Sequence, residues 1–235
     1  MKIEIFTDFV CPFCYIGKTQ LKRAIKEAGY EEEVELIYRA YQLHPETPKE
    51  HAPRYLQALK DKFNGDVTKM NEVMDSIQYR AQEVGLTYQF EKMTTANTET
   101  AHRIVKWAAA YDKDIVLFDR LIQGYFTEGL DLNDEAQVLA IVDEVGLDVL
   151  QAKQVYHSQD YMQALDEDRY AAMQIGVNSV PFFVFENRYG IKGAEPDEVF
   201  IRTLHQTANY VEKEKEKEFT ITAQGTSCDI DGNCS

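Results

Sequence analysis

The chain has 235 residues, of which 44% are hydrophobic and 28% charged, and its formal net charge is −15. Such a length and composition suit a globular fold with a substantial core. The acid excess argues against nucleic acid, anionic membrane surfaces and acidic substrates as partners, since each needs clustered Lys and Arg; its plain reading is solubility.

"KIEIFT", residues 2–7, alternates Ile3, Ile5 and Thr7 with Lys2, Glu4 and Phe6, which predicts a short strand. A helix is predicted from Cys11 to Ala28, with Ile16, Leu21, Ala24 and Ile25 at helical spacing and Gly29 as its stop. "VELIYRAYQL", residues 34–43, predicts a second strand with Val34, Leu36, Tyr38 and Ala40 on one face. From about Pro53 to Gly176 helical patterns dominate and no convincing strand is found. One helix starts near Asn97 and carries Ala101, Ile104, Val105 and Ala108. A second, "DEAQVLAIVDEVG", has Asp134 and Gln137 in the pattern of a capping box and ends at Gly146; a third runs from about Tyr161 to Ile175. Strand signals return in "VPFFVFENRYGIKG", residues 180–193, followed by a last helix from Glu195 to about Tyr210. "EKEKEKE", residues 212–218, reads as its solvated extension, and the tail beyond it is polar and turn-prone. The order is β-α-β, helical insert, β-β-α. No signal-type apolar region and no membrane-span window stand in the sequence, so a cytoplasmic location is expected.

Cys11 and Cys14 form a C-x-x-C pair, "CPFC", where the first helix begins. The first turn of a helix offers unbonded N–H groups and partial positive charge, which stabilise a thiolate, the form that attacks disulfides. Pro12 falls at the first helical position, where proline costs nothing. Cys14, just inside the helix, can displace a partner from a mixed disulfide on Cys11. Three readings compete: half of a zinc site completed by Cys228 and Cys234, an inert structural bridge, and redox catalysis. The small loop gains little from closure and no His or Cys stands nearby, so redox catalysis leads. Val180-Pro181 opens a strand apolar enough to be central, where proline removes a ladder bond. A cis Val180–Pro181 bond beside the dithiol would explain the placement and leave the Val180 backbone free for an extended substrate; a trans proline at a strand start is the commoner case.

CPFC after a first strand, a long helical insertion, "NTETAHR" at residues 97–103 and "GVNSVPFFVFENRYGIKGAEP" together resemble the DsbA-like thiol-disulfide oxidoreductases of the thioredoxin superfamily, nearest the FrnE-like cytoplasmic subgroup, over about residues 1–212. The resemblance implies an α/β, thioredoxin-like fold: a discontinuous domain of residues 1–48 and 177–212, a helical insertion of residues 49–176, and a charged tail of residues 213–235. It also implies Cys11 as nucleophile, Cys14 as resolving thiol and Pro181 as the cis proline facing them. Strongly oxidising members carry histidine where Phe13 stands. Phe13 brings neither a hydrogen bond nor a charge to the thiolate, so a potential of about −200 to −270 mV is expected rather than about −120 mV.

Cys228 and Cys234 enclose "DIDGN" and are either a tethered relay for the first pair or a passive tail pair; Asp229 and Asp231 should slow their thiols. Asp8 either tunes Cys11 or relays its proton, or simply starts the helix. Of the five histidines none has metal spacing, and His102 is the one to watch because its helix belongs to the insertion that could roof the dithiol. The sequence thus predicts a protein-disulfide oxidoreductase or isomerase with no bound metal or cofactor. Its substrates are thiol- or disulfide-containing proteins, and glutathione or a thioredoxin-type system is its expected reductant. Two alternatives stand beside it: a glutathione-dependent isomerase or transferase of the kappa-class or chromene-carboxylate isomerase type, and a zinc-binding redox-regulated chaperone. Oligomeric state is not written in these residues.

Overall fold

The structure is a computed structural model, and it describes residues 1–216. Strand β1 (Lys2–Thr7) leads into helix α1 (Pro12–Ala28), and β2 (Glu35–Ala40) pairs parallel to β1, with Ile3 opposite Leu36 and Ile5 opposite Tyr38. Gly29 ends α1 in the left-handed region, φ 76°, while the N–H of Tyr30 donates to Ile25 O at 3.0 Å. Then come α2 (Tyr55–Lys62), α3 (Val67–Gln82), α4 (Glu99–Ala108), α5 (Asp114–Gln123), α6 (Glu135–Glu144), α7 (Val149–His157) and α8 (Met162–Gln174). Strand pairing inside that stretch is limited to an isolated bridge between Arg54 and Thr94. The chain returns through β3 (Phe182–Phe185), β4 (Tyr189–Lys192) and α9 (Asp197–Glu216).

The sheet order is β2-β1-β3-β4; β3 runs antiparallel to both β1 and β4, with Ile5 opposite Phe183 and Phe183 opposite Ile191. This is the thioredoxin-like α/β arrangement with a helical insertion. The alternation in "KIEIFT" separates two faces that are both covered. Ile3, Ile5, Phe183 and Phe185 share one core with α1 and α9, where Phe183 meets Phe200 at 4.9 Å. Phe6 and Val184 meet Ala172 and Val177 on the other face.

Helix starts follow local chemistry. Asp66, Asp134 and Asp148 cap α3, α6 and α7, each accepting first-turn N–H groups. The capping box read at Asp134 is half of one: Gln137 reaches back to the Asp134 carboxylate at 3.1 Å, not to its backbone N–H. The predicted start at Asn97 falls two residues early, because Thr98 and Glu99 open α4. The predicted start of the last helix at Glu195 is likewise two residues early, and α9 extends through the charged run to Glu216.

Buried charges join the layers. Asp168 of α8 is 1% exposed and accepts from Arg39 at 3.0 Å, from Lys106 at 2.5 Å and from the Ala40 N–H at 2.7 Å, while Arg39 also holds Glu4. Lys18 of α1 is 5% exposed and donates to Asp119 of α5 at 2.6 Å; Lys22 and the Tyr38 hydroxyl share that carboxylate. Among the described residues no helix is long and apolar enough to cross a membrane. The tail pair Cys228 and Cys234, with Asp229 and Asp231, lies outside the described residues.

Candidate dithiol site

Cys11 is the N-cap of α1, in extended conformation, with Pro12 as the first helical residue. Where α3, α6 and α7 place an aspartate oxygen against their first-turn N–H groups, α1 has no side-chain cap bond and offers a sulfur instead. Cys14 follows one turn on, its N–H donating to Cys11 O at 3.0 Å. Both are free thiols and both are buried, but differently. Cys11 lines an open groove, and its Sγ donates to Val180 O at 3.5 Å. Cys14 lies beneath, 1% exposed, its Sγ accepting the Asp8 N–H at 3.5 Å. Burial first, then the Cys11 side chain and charge, push the Cys14 thiol well above the ordinary thiol range; the Thr7 side chain and the Asp8 N–H pull it partly back.

The Val180–Pro181 bond is cis, and the Val180 carbonyl stands against the first sulfur. The Gly193 N–H holds Pro181 O at 2.8 Å. Gly17, one turn beyond Cys14, allows this approach: a Cβ there would meet Pro181 Cγ and Phe183 Cζ at 3.1 Å. The groove is about 530 Å³. Phe13, Tyr55, Leu59, Phe63, Val73 and Ile77 give it apolar walls, so α2 and α3 of the insertion face the dithiol across it. Burial and the Cys11 charge push the Tyr55 phenol up to about 12. The charge-bearing residues of its lining, besides the thiol and phenols, are His44, Glu46 and Lys62.

Asp8 is fully buried, and its carboxylate is taken up by partners other than the sulfurs. Oδ1 accepts the Phe9 N–H at 2.8 Å and faces His102 Nε2 at 3.2 Å; Oδ2 accepts the Leu43 N–H at 2.7 Å. His102 is buried on Asp8 and against the Phe9 ring, 4.7 Å between centroids, and is not part of the groove lining. The rest of "NTETAHR" is occupied in the same way. Asn97 donates to Pro45 O at 3.1 Å and Thr47 O at 2.9 Å, fixing the loop after β2 that walls the groove. The buried Arg103 donates to Val155 O at 2.7 Å and Tyr156 O at 3.3 Å, covering the last carbonyls of α7.

Four residues that sequence reasoning missed complete the surroundings. Tyr55 and Tyr125 line the groove. The Tyr88 hydroxyl donates to Pro12 O at 2.7 Å. The Arg80 guanidinium sits over the Phe13 ring at 6.0 Å, so a positive charge stands near the motif although Phe13 itself carries none. The alternation of Tyr88 and Phe90, both buried, was the one sequence signal for that segment. Among the described residues no group of three or more His, Cys, Asp or Glu side chains is arranged to hold a metal. The arrangement can carry out dithiol exchange: one sulfur bordering the groove at a helix N-terminus, a second beneath it, and apolar walls leading to the first.

The family model for the DSBA-like thioredoxin domain matches residues 2–205. A Streptomyces coelicolor protein, described as a probable DsbA oxidoreductase, superposes with a TM-score of 0.85 at 27% identity, covering 100% of this chain and 98% of that one. A 2-hydroxychromene-2-carboxylate isomerase shares the fold with a TM-score of 0.66 at 17% identity, over 94% of this chain and 100% of that one. So does the cytosolic disulfide reductase DsbM of Pseudomonas aeruginosa, with a TM-score of 0.61 at 13% identity, over 92% and 99%.

Proposed function

The chain belongs to the DSBA-like thioredoxin domain family, and from that premise we propose that it is a protein thiol-disulfide oxidoreductase or isomerase working through Cys11 and Cys14. The observation that carries this reading is the asymmetry of the pair: Cys11 at an uncapped helix N-terminus on the groove, Cys14 buried behind it with its thiol raised.

The Cys11 thiolate attacks a substrate disulfide, forming one S–S bond, breaking another, and releasing a substrate thiolate that takes up a proton. Cys14 then loses its proton and attacks Cys11 Sγ. The second substrate sulfur leaves, so the substrate has gained two electrons and the protein holds a Cys11–Cys14 disulfide. Two molecules of a low-molecular-weight thiol such as glutathione, or one thioredoxin-type dithiol, return the two electrons and leave joined in a disulfide of their own. In the opposite direction the same steps oxidise a substrate dithiol. Burial of Cys14 suits the order, because it keeps the second sulfur out of reach of the substrate.

The apolar walls favour a polypeptide with a bulky aromatic or aliphatic residue near its cysteine. A glutathione bound by its carboxylates would find the Lys62 ammonium and the His44 imidazole in the lining. The FrnE-like, cytoplasmic placement and a potential of about −200 to −270 mV belong to the same reading. The isomerase alternative shares the fold, but the chemistry of a single reacting sulfur leaves Cys14 without a task.

The test is a glutathione redox titration with alkylation and peptide mass mapping of each cysteine. Reversible, paired conversion of Cys11 and Cys14, and a stable mixed disulfide trapped on Cys11 in Cys14→Ser, are expected. If Cys11 only captures glutathione while Cys14 stays reduced throughout, the dithiol reading is wrong and the isomerase-type chemistry takes its place.

A further inference from the structure

The segment between the two cysteines is held from outside its own helix. Tyr88, 5% exposed, lies in the loop after α3, and its hydroxyl donates at 2.7 Å to the carbonyl of Pro12, the first helical residue of α1. Its ring is fixed on all sides: stacked on Phe126 at 4.5 Å and on Tyr15 at 6.2 Å, and edge-on to Phe90 at 5.9 Å. Its own N–H donates to Gln78 Oε1 at 3.2 Å. A phenol held so rigidly is a preorganised donor, and a carbonyl has a second lone pair to receive it beside any bond within the helix.

From this geometry we infer that Tyr88 is a positioning residue for the dithiol, acting on Cys11 through the Pro12–Phe13 peptide. That peptide is planar, so fixing its carbonyl fixes the direction of the Phe13 N–H at its other end. The Phe13 N–H is a first-turn donor that no cap side chain engages, so it is free to turn to the Cys11 sulfur when that sulfur carries charge. Donation to one end of a peptide also polarises the other, strengthening its N–H by roughly 10–30%. Both effects favour the form of Cys11 that carries charge, and with it the reduced protein. Burial, then Tyr15 and the charges of Cys11 and Cys14, push the Tyr88 phenol far above its ordinary range, so it remains a donor throughout the working pH range.

This inference rests on the dithiol reading above, and its test separates the two. The equilibrium of the full chain with reduced and oxidised glutathione is measured for wild type, Tyr88→Phe and Tyr156→Phe. Tyr156 is the control, since its hydroxyl makes a similar bond to a backbone carbonyl, Asn133 O at 2.8 Å, and neither residue lines the groove. Tyr88→Phe keeps the ring and loses the donor; the ratio of oxidised to reduced protein at fixed glutathione poise is expected to rise about threefold, the lower range of a single hydrogen bond, with Tyr156→Phe unchanged. Site-specific 3-fluorotyrosine at position 88, a stronger donor of nearly the same shape, should shift the equilibrium the opposite way; this variant decides the matter if Tyr88→Phe does not fold. A lower melting temperature with an unmoved glutathione equilibrium assigns Tyr88 to packing and overturns the inference. A wild type without a reversible pair overturns the dithiol reading, and this inference with it.

Discussion

Replacing Asp8 by Asn changes one buried atom type and should cost more than its size suggests. The carboxylate receives two backbone N–H groups, from Phe9 at 2.8 Å and Leu43 at 2.7 Å, one on each oxygen, and meets His102 at 3.2 Å. An amide keeps a single oxygen. Facing Phe9 and His102, it presents its NH₂ to the Leu43 N–H; flipped, it presents NH₂ to the Phe9 N–H. Either way one buried donor loses its acceptor, at about 1–3 kcal/mol, and the bonds that survive lose the added strength of a charged acceptor. A loss of about 3 kcal/mol lowers the melting temperature of a chain this long by roughly 6–12 °C. Calorimetry of the reduced protein measures it, alongside the glutathione equilibrium. Because the carboxylate is spent on Phe9, Leu43 and His102 and only the Asp8 N–H reaches a sulfur, stability should change much more than redox poise. A melting temperature within about 2 °C of wild type would refute the claim that this carboxylate ties the dithiol turn to the groove loop.

Alkaline pH should destabilise the reduced protein selectively. The folded Cys14 thiol titrates above its ordinary value near 9, so its contribution is complete below that pH and is lost as pH rises toward the folded value. Denaturant unfolding at about pH 8 and about pH 10.5 should show a larger loss for the reduced than for the oxidised form, in which this thiol is absent; equal losses would contradict the raised thiol. Asp119→Ala strands the buried Lys18 and should cost about 3 kcal/mol, whereas Lys18→Met leaves Asp119 with Lys22 and Tyr38 and should stay within about 1 kcal/mol. The reverse ranking in thermal melts would show that the pair is not held as described.

The parts of the fold written in local patterns were legible. Ile3 and Ile5 in β1, Leu21 and Ile25 in α1, and the 134–146 helix show their period because burial of one face is a nearest-neighbour property of the chain. The site was legible only where backbone chemistry marks it, in proline after Cys11 at a helix start and in Val180-Pro181 before an apolar strand. What escaped is tertiary. Tyr88 finds Pro12 across 76 residues, Asn97 finds Thr47 across 50, and Arg80 finds Phe13 through the packing of α3, none with a spacing that local periodicity can reveal. Asp8 stands three residues before Cys11 in sequence, yet what its carboxylate holds is decided by Leu43 and His102, 35 and 94 residues away.

The two walls nearest the first sulfur are made at very different moments. Cys11 meets the Val180 carbonyl across 169 residues of chain. At about 5–20 residues per second of synthesis, Cys11 precedes its opposing loop by roughly ten to thirty seconds. During that interval β2 has been made and β3 has not, and the thiols stand on a nascent chain that does not yet contain the Val180 carbonyl. The surroundings of the first sulfur are therefore completed by one of the last segments of the chain to be made, the one that brings Val180 and β3; until it is synthesised, both cysteines lack the carbonyl that Cys11 meets in the finished fold.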